Sequence, residues 1–229
     1  MGIVTSGLQL SLNAKTGYSG SGATWSDQSG NGYNFTLQNA PTWDSRGWFT
    51  FNGTNQYARL DSPATSLINW ATTDYTAAFW VNNTAFTSSQ NGYFVGFGNS
   101  ETNNVQYWTI GTSSTGLVGL YMYNGGIDAY WGSTYASLNT WNYIVMTQAS
   151  GTITMYMNGS VVFTSTVAGT PQYSSSYPMN LGGTSNFING KVYAAQVYTA
   201  ALSSADIAQN YAFGLSELAD TIPAYYYSI

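Results

Sequence analysis

TITMYMNGSVVFTST, running from Thr152 to Thr166, is the stretch that decides the fold class. Ile153, Met155 and Met157 alternate with Thr154 and Tyr156, which is the period of a strand with one apolar face. Asn158 and Gly159 follow, the dipeptide that most readily supplies the two positive-φ residues of a type I′ turn, and Val161 to Thr166 returns. A tight antiparallel hairpin is therefore predicted here.

Similar runs flank it on both sides, separated by Gly, Asn and Ser clusters, the pattern of an antiparallel sandwich. Leu8, Leu10 and Leu12 alternate with Gln9 and Ser11 and predict a half-buried first strand. Residues 13–34 read as loop around an isolated Trp25. Trp48 to Leu60 carries two short strand patterns around Asn52 and Gly53, and Tyr75 to Val81 gives another. From Lys191 to Tyr198, alternation sets Val192, Ala194 and Gln196 on one face and Tyr193, Ala195 and Val197 on the other. One helix is signalled: Ser203 caps it, Asp206 bonds back, Leu202 staples onto Ile207 and Gly214 stops it. The expected fold is all-β, a two-sheet antiparallel sandwich over residues 1–214 with one short C-terminal helix, followed by an apolar, Tyr-rich tail over residues 215–229.

Composition narrows the chemistry. The chain has neither Cys nor His, which removes thiolate nucleophiles, disulfides and the commonest general base together. Its only cations are Lys15, Arg46, Arg59 and Lys191 against a net charge of -5, too few to displace the counterions of a nucleic acid. Met1 to Leu12 lacks the basic and apolar regions of a signal peptide, and no apolar run reaches the roughly 20 residues of a membrane span. Neither nucleic acid nor membrane is an expected partner.

One set of segments runs in order along the chain: Gly7 to Leu12, Trp25 to Gly32, Phe49 to Tyr57 and Tyr75 to Val81. Trp141 to Val145, Met155 to Gly159, Leu181 to Gly183, Asn189 to Val192 and Val197 to Ser203 complete it. In kind and order these segments resemble those of the laminin-G-like, concanavalin A-like jelly-roll family of lectins and glucanases, particularly modules of bacterial surface proteins and of bacteriophage or other viral particles. The resemblance implies a jelly roll, but the fold hosts several activities, so the site must decide function. Asn142 and Tyr143 stand where the family often has histidine, and Asn52 where it often has aspartate.

Family glucanases place paired carboxylates on alternate positions of one strand, and no Glu-x-Asp or Asp-x-Glu pair exists here. Catalysis is not expected, and no cofactor beyond a candidate calcium ion, for which Asp27, Ser29 and Asn31 alternate in a loop. The plainer reading has Asp27 and Asn31 bonding turn backbone. Lectin relatives hold glycans on the concave sheet or its rim, where aromatic faces meet sugar C–H groups. The candidates for that role are Tyr107, Trp108, Tyr121, Tyr123, Tyr130 and Trp131 with Asp128 as acceptor, while large aromatics equally fill sandwich cores. Tyr225, Tyr226, Tyr227 and Ile229 are candidate assembly contacts. The resulting expectation is a non-enzymatic virion structural or decoration protein that binds host-surface glycans and partners virion proteins or copies of itself. The alternatives are an extracellular adhesin module and a degenerate glycoside hydrolase.

Overall fold

The structure, a computed structural model, describes residues 2–60, 67, 74–86, 92–97, 108–123, 127–166, 178–183 and 187–219, with backbone alone for 92–97, 108–109, 121–123 and 127–131. Among these residues the early strands are β1 (Leu8–Asn13), β2 (Thr24–Trp25), β3 (Phe35–Gln38), β4 (Thr42–Asp44), β5 (Trp48–Asn52) and β6 (Tyr57–Leu60). The middle of the chain supplies β7 (Tyr75–Ala85), β8 (Gly92–Phe97), β9 (Trp108–Thr112), β10 (Leu117–Tyr123) and β11 (Ile127–Tyr135). Then come β12 (Asn142–Ala149), β13 (Thr152–Met157), β14 (Ser160–Thr166), β15 (Met179–Leu181), β16 (Asn189–Tyr198) and the helix α1 (Ser204–Ala219).

All strand pairs are antiparallel. The first sheet runs β14-β13-β12-β7-β16-β5-β4, with β1 also paired to β16, and the second runs β11-β10-β9-β8-β15-β6-β3-β2. Between the sheets lies a continuous core that includes Leu10, Leu12, Trp25, Phe49, Phe51, Phe79, Ile144 and Met155. The hairpin forms as its sequence dictates: Met157 pairs with Ser160, and Asn158 and Gly159 turn at φ of 52° and 82°. Asn158 also fixes the neighbouring strand, its Oδ1 accepting from Tyr143 N at 2.8 Å. The two patterns around Asn52 and Gly53 are strands too, but β5 lies in the first sheet and β6 in the second. Asn52 shapes the crossing by accepting from the backbone N–H groups of Thr54, Asn55 and Gln56.

Three local expectations need correction. Residues 13–34 are not wholly loop, because Thr24 and Trp25 pair with Thr36 and Phe35, and the buried Trp25 ring sits 4.8 Å from that of Phe49. In β16 the alternation breaks at a bulge between Val192 and Ala194. The extra residue puts Val192 in the core with Ala195 and Val197, and Tyr193 on the outer face with Ala194 and Tyr198. In β1 a similar shift between Leu8 and Leu10 sends Leu8 outward, and Ser11 is buried as well, so this strand is covered on both faces.

What covers the first sheet is α1. Its start is a capping box: Ser203 N donates to Asp206 Oδ2 at 3.1 Å and Asp206 N to Ser203 Oγ at 3.2 Å, with Leu202 and Ile207 buried together beside it. Gly214 does not stop the helix, which continues to Ala219 and buries Leu218. Glycine is needed there for another reason, since a Cβ at that position would overlap the Trp80 indole. Trp80 stacks on Tyr143 with centroids 5.0 Å apart and on Tyr211 at 5.5 Å, so helix and sheet meet through three nearly parallel rings.

Replacing Gly214 with Ala overpacks this contact, at a cost of about 1 to 3 kcal/mol. The expected result is a melting temperature lower by several degrees with a preserved β spectrum; an unchanged midpoint would mean that the helix does not press on Trp80. A second prediction concerns alkali. Burial pushes the Tyr75, Tyr143 and Tyr193 hydroxyls far up and that of Tyr198 to about 12. Because these folded values lie above the unfolded value of about 10, the stability they hold is intact below pH 10 and is lost as pH rises through the folded values. Melting followed against pH should be level from 7 to 9 and fall steeply above 10, with phenolate absorbance from these residues appearing only on unfolding.

Candidate functional site

Register sorts the second sheet into rows, because directly paired antiparallel residues share a face. One row runs Tyr130, Leu120, Ile110, Val95, Leu181, Ala58, Leu37. Its described side chains, those of Leu120, Ile110, Leu181, Ala58 and Leu37, are all buried in the core. A parallel inward row runs Asp128, Met122, Trp108, Phe97, Met179, Leu60. The intervening outward row runs Ala129, Tyr121, Thr109, Gly96, Asn180, Arg59, Thr36, Thr24. Tyr123 and Trp131 occupy outward rows on either side of it, opposite Ile127 and Gly119.

The proposed aromatic residues are thus split. Tyr121, Tyr123 and Trp131 share the outward face, whereas Trp108, Asp128 and Tyr130 hold register positions in core rows. Tyr107 lies outside the described residues, as do Tyr225, Tyr226, Tyr227 and Ile229. Arg59, Asn180 and Thr36 join the outward face unforeseen. A signal existed for Arg59, a lone cation between Ala58 and Leu60, but its cross-strand partner Asn180 is more than a hundred residues away and cannot be paired with it by inspection.

The two faces of the sandwich differ in what they leave open. On the first sheet α1 occupies the outward side, and among the described residues no helix does so on the second. Asn180 is only 2% exposed although it sits in the outward row, and among the described residues its Oδ1 has no hydrogen-bond partner. A buried acceptor left unmet costs about 1 to 3 kcal/mol, and one so enclosed belongs to the packing of this sheet and is not open to a ligand. Elsewhere, a cavity of about 30 Å³ between α1 and the first sheet, lined in part by Ser11, Asn13, Gln196 and Asn210, has room for water-sized molecules and not for a sugar ring.

The Asp27 loop does not suit a cation. Asp27 Oδ1 accepts from Ser11 N and Ser29 N, both at 2.9 Å, and Oδ2 from Ser29 Oγ at 2.7 Å and Tyr33 N at 3.1 Å. Four donors directed at one carboxylate are the arrangement for holding a turn against β1, and they would repel a calcium ion. Asn31 likewise donates, through Nδ2 to Gln9 O at 3.0 Å. Among the described residues no three Asp or Glu side chains gather at a metal-binding distance. The positions where histidine was expected are structural as well: Asn142 Nδ2 donates to Ser137 O and Thr140 O, and Tyr143 lies under the helix.

With this geometry in view, the family is decided by a sequence model described as the concanavalin A-like lectin/glucanases superfamily, which matches residues 52–208, more than half of the chain. The chain belongs to that superfamily. Its jelly-roll fold recurs in the binding domain of Paraclostridial Mosquitocidal Protein 1, at TM-score 0.67 and 18% identity over 90% of this chain and 52% of that one. A sialidase of Trypanosoma rangeli, in complex with the inhibitor DANA, matches at TM-score 0.65 and 15% identity over 88% of this chain and 32% of its own. Domain 4 of AbnA, a GH43 extracellular arabinanase from Geobacillus stearothermophilus in complex with arabinotriose, matches at TM-score 0.63 and 16% identity over 89% of this chain and 97% of its own. The lectin-like domain therefore spans about half of the first chain, a third of the second and nearly all of the third. No curated protein matches it significantly.

Substituting Asp27 with Asn turns an amide toward N–H donors and strands at least one of them, so a drop in melting temperature of several degrees is expected, reflecting about 1 to 3 kcal/mol. Adding millimolar calcium should move neither protein. A rise confined to the unsubstituted chain would instead show that the loop takes up the ion.

Proposed function

We propose that the domain is a non-catalytic glycan-binding module whose ligand lies across the outward face of the second sheet. The observation that carries this reading is the outward row itself: Arg59 and the exposed hydroxyls of Thr24 and Thr36, continued by the positions of Tyr121, Tyr123 and Trp131. Sugars present C–H faces to aromatic rings and hydroxyls to amides and guanidinium groups, and this face offers both kinds of group without a carboxylate pair. Among the described side chains, four of the five carboxylates have structural partners. Asp27 holds its turn, Asp44 pairs with Arg46, Asp74 accepts from Ser150 N and Asp206 caps α1. Glu217, the fifth, stands on the helix on the opposite side of the sandwich. That AbnA domain was captured with arabinotriose accords with a saccharide ligand.

A shallow face binds each ligand weakly, and repetition on one particle raises the effective affinity by orders of magnitude without new contacts. The setting we propose is accordingly a virion, on which many copies engage host-surface glycans. Mass spectrometry of purified virions tests the setting, and finding the protein only on a bacterial cell surface would replace it with the adhesin role.

A glycan array probed with multivalent protein tests the activity. Binding should fall about threefold to tenfold in Tyr121→Ala and in Trp131→Ala, the scale of a lost aromatic contact, while Trp108→Ala should act through stability instead. Reducing ends should not accumulate on any polysaccharide. Binding that survives both outward substitutions would place the ligand elsewhere, and hydrolysis would overturn the non-catalytic assignment.

A further inference from the structure

Three of the chain's four cations gather at one turn, and two of them, Arg46 and Lys191, lie over one indole. Trp48 opens β5 opposite Asp44, on the face away from Phe49 and the core. The guanidinium carbon of Arg46 stands 4.5 Å from the Trp48 ring centroid and Lys191 Nζ 5.1 Å from it. Lys15, in the turn that follows β1, packs on the same segment so closely that a Cβ on Gly47 would stand 2.6 Å from its own Cβ. Arg46 is held in place by Asp44, with Nε to Oδ1 at 2.9 Å and Nη2 to Oδ2 at 2.6 Å. The Asp44 carboxylate thereby neutralises Arg46, and the charges of Lys15 and Lys191 remain, neither of them in an ion pair among the described residues.

Cations often lie over aromatic rings simply to cover them. Coverage alone does not explain why a chain with a net charge of -5 puts three of its four positive side chains here, where aliphatic groups would shield an indole equally well. The surroundings add recognition groups. Trp141 lies edge-on to Trp48 at 5.9 Å, partly exposed, and Tyr193 lies edge-on to Trp141 at 6.4 Å. Asn82 pairs with Lys191 across the strands, which sets its amide on the same outward face. The patch flanks the covered region of the first sheet and faces away from the outward row of the second.

We propose that this cluster is a second saccharide subsite, selective for sugars that carry a carboxylate or a sulfate. The anion meets Lys191 and Lys15, with Arg46 fixed alongside. The C–H face of the ring meets Trp141, and a hydroxyl meets the Asn82 amide. The subsite rests on the glycan-binding reading above and extends it to the opposite side of the sandwich and to acidic ligands.

The test uses the full chain and three forms of one oligosaccharide: neutral, carboxylated and sulfated. Both acidic forms should bind about tenfold better than the neutral one, the scale of two screened ion pairs, and the preference should shrink as salt rises from 0.05 to 0.5 M. Lys191→Gln should remove most of the preference and Lys191→Arg should retain it, with melting recorded for each variant to confirm folding; Lys15→Gln supplies an independent loss of charge. Tyr121→Ala should lower neutral binding and leave the acidic preference intact. A preference for only one of the two acidic forms would assign the anion. Equal binding of neutral and acidic forms would overturn the subsite while leaving the glycan module standing, as would an acidic preference indifferent to Lys191→Gln and Lys15→Gln. Absence of binding to all three forms, together with a silent glycan array, would overturn both.

Discussion

Trp80 packs against both Tyr143 on its own sheet and Tyr211 on the helix, which also face each other at 6.2 Å, and this three-ring cluster lets β7 be buried on both faces. A sandwich strand ordinarily shows one face to water, yet nine consecutive residues of β7, from Tyr75 to Asn83, are buried. The stack forms only because Gly214 leaves room for the indole. Around it the outer cluster closes, with Ala78, Val145, Tyr156, Tyr198, Leu202, Ile207 and Leu218. The N-terminal segment is drawn in as well, Val4 N donating to Asn210 Oδ1 at 2.8 Å. The two sheets are thereby left unlike: the first carries the helix on its outward side, and among the described residues no helix covers the outward row of the second.

A chain so poor in charge must hold its turns by other means, and amides do much of that work. Asn52, Asn142, Asn158 and Asn210 each bind backbone or hydroxyl groups at a crossing, a loop, a hairpin and a helix. An amide is both donor and acceptor, so it can satisfy a buried turn without the desolvation cost of a carboxylate. Asp27 is a charged counterpart at β1, where four donors offset that cost. Against that largely neutral background the gathering of Lys15, Arg46 and Lys191 around Trp48 stands out.

Features governed by neighbours in sequence were legible in it. The hairpin at Asn158 and Gly159 and the capping box at Ser203 and Asp206 follow from local backbone chemistry, and the strand alternation that defines the jelly roll follows from burial. Tertiary demands were not legible. The bulge at Val192 answers to pairing with β7, and Gly214 resembled a helix stop because its true partner, Trp80, is remote in sequence. For the site, alternation within β10 already separated Tyr121 and Tyr123 from Met122. The position of Trp131 beside them, and of Tyr130 and Trp108 in core rows, depended on cross-strand register. The Trp48 cluster joins three distant segments and left no local trace.

The pairing of β1 with β16 has a mechanical corollary. Leu8 lies opposite Tyr198 and Asn13 opposite Ala194, so the two strands enter and leave at the same end of their ladder. Tension applied through the chain on either side of the domain would load these hydrogen bonds one after another, like a zip, and not all at once in shear. The straps from Asn210 to Val4 and from Gln209 to Gly2 O tie the N-terminal segment to the helix across that opening, and would be the first bonds to bear the load. A module of this build anchored at both ends would yield first at the helix and β1, while the β9 to β11 side of the second sheet, remote in the strand order, is loaded last.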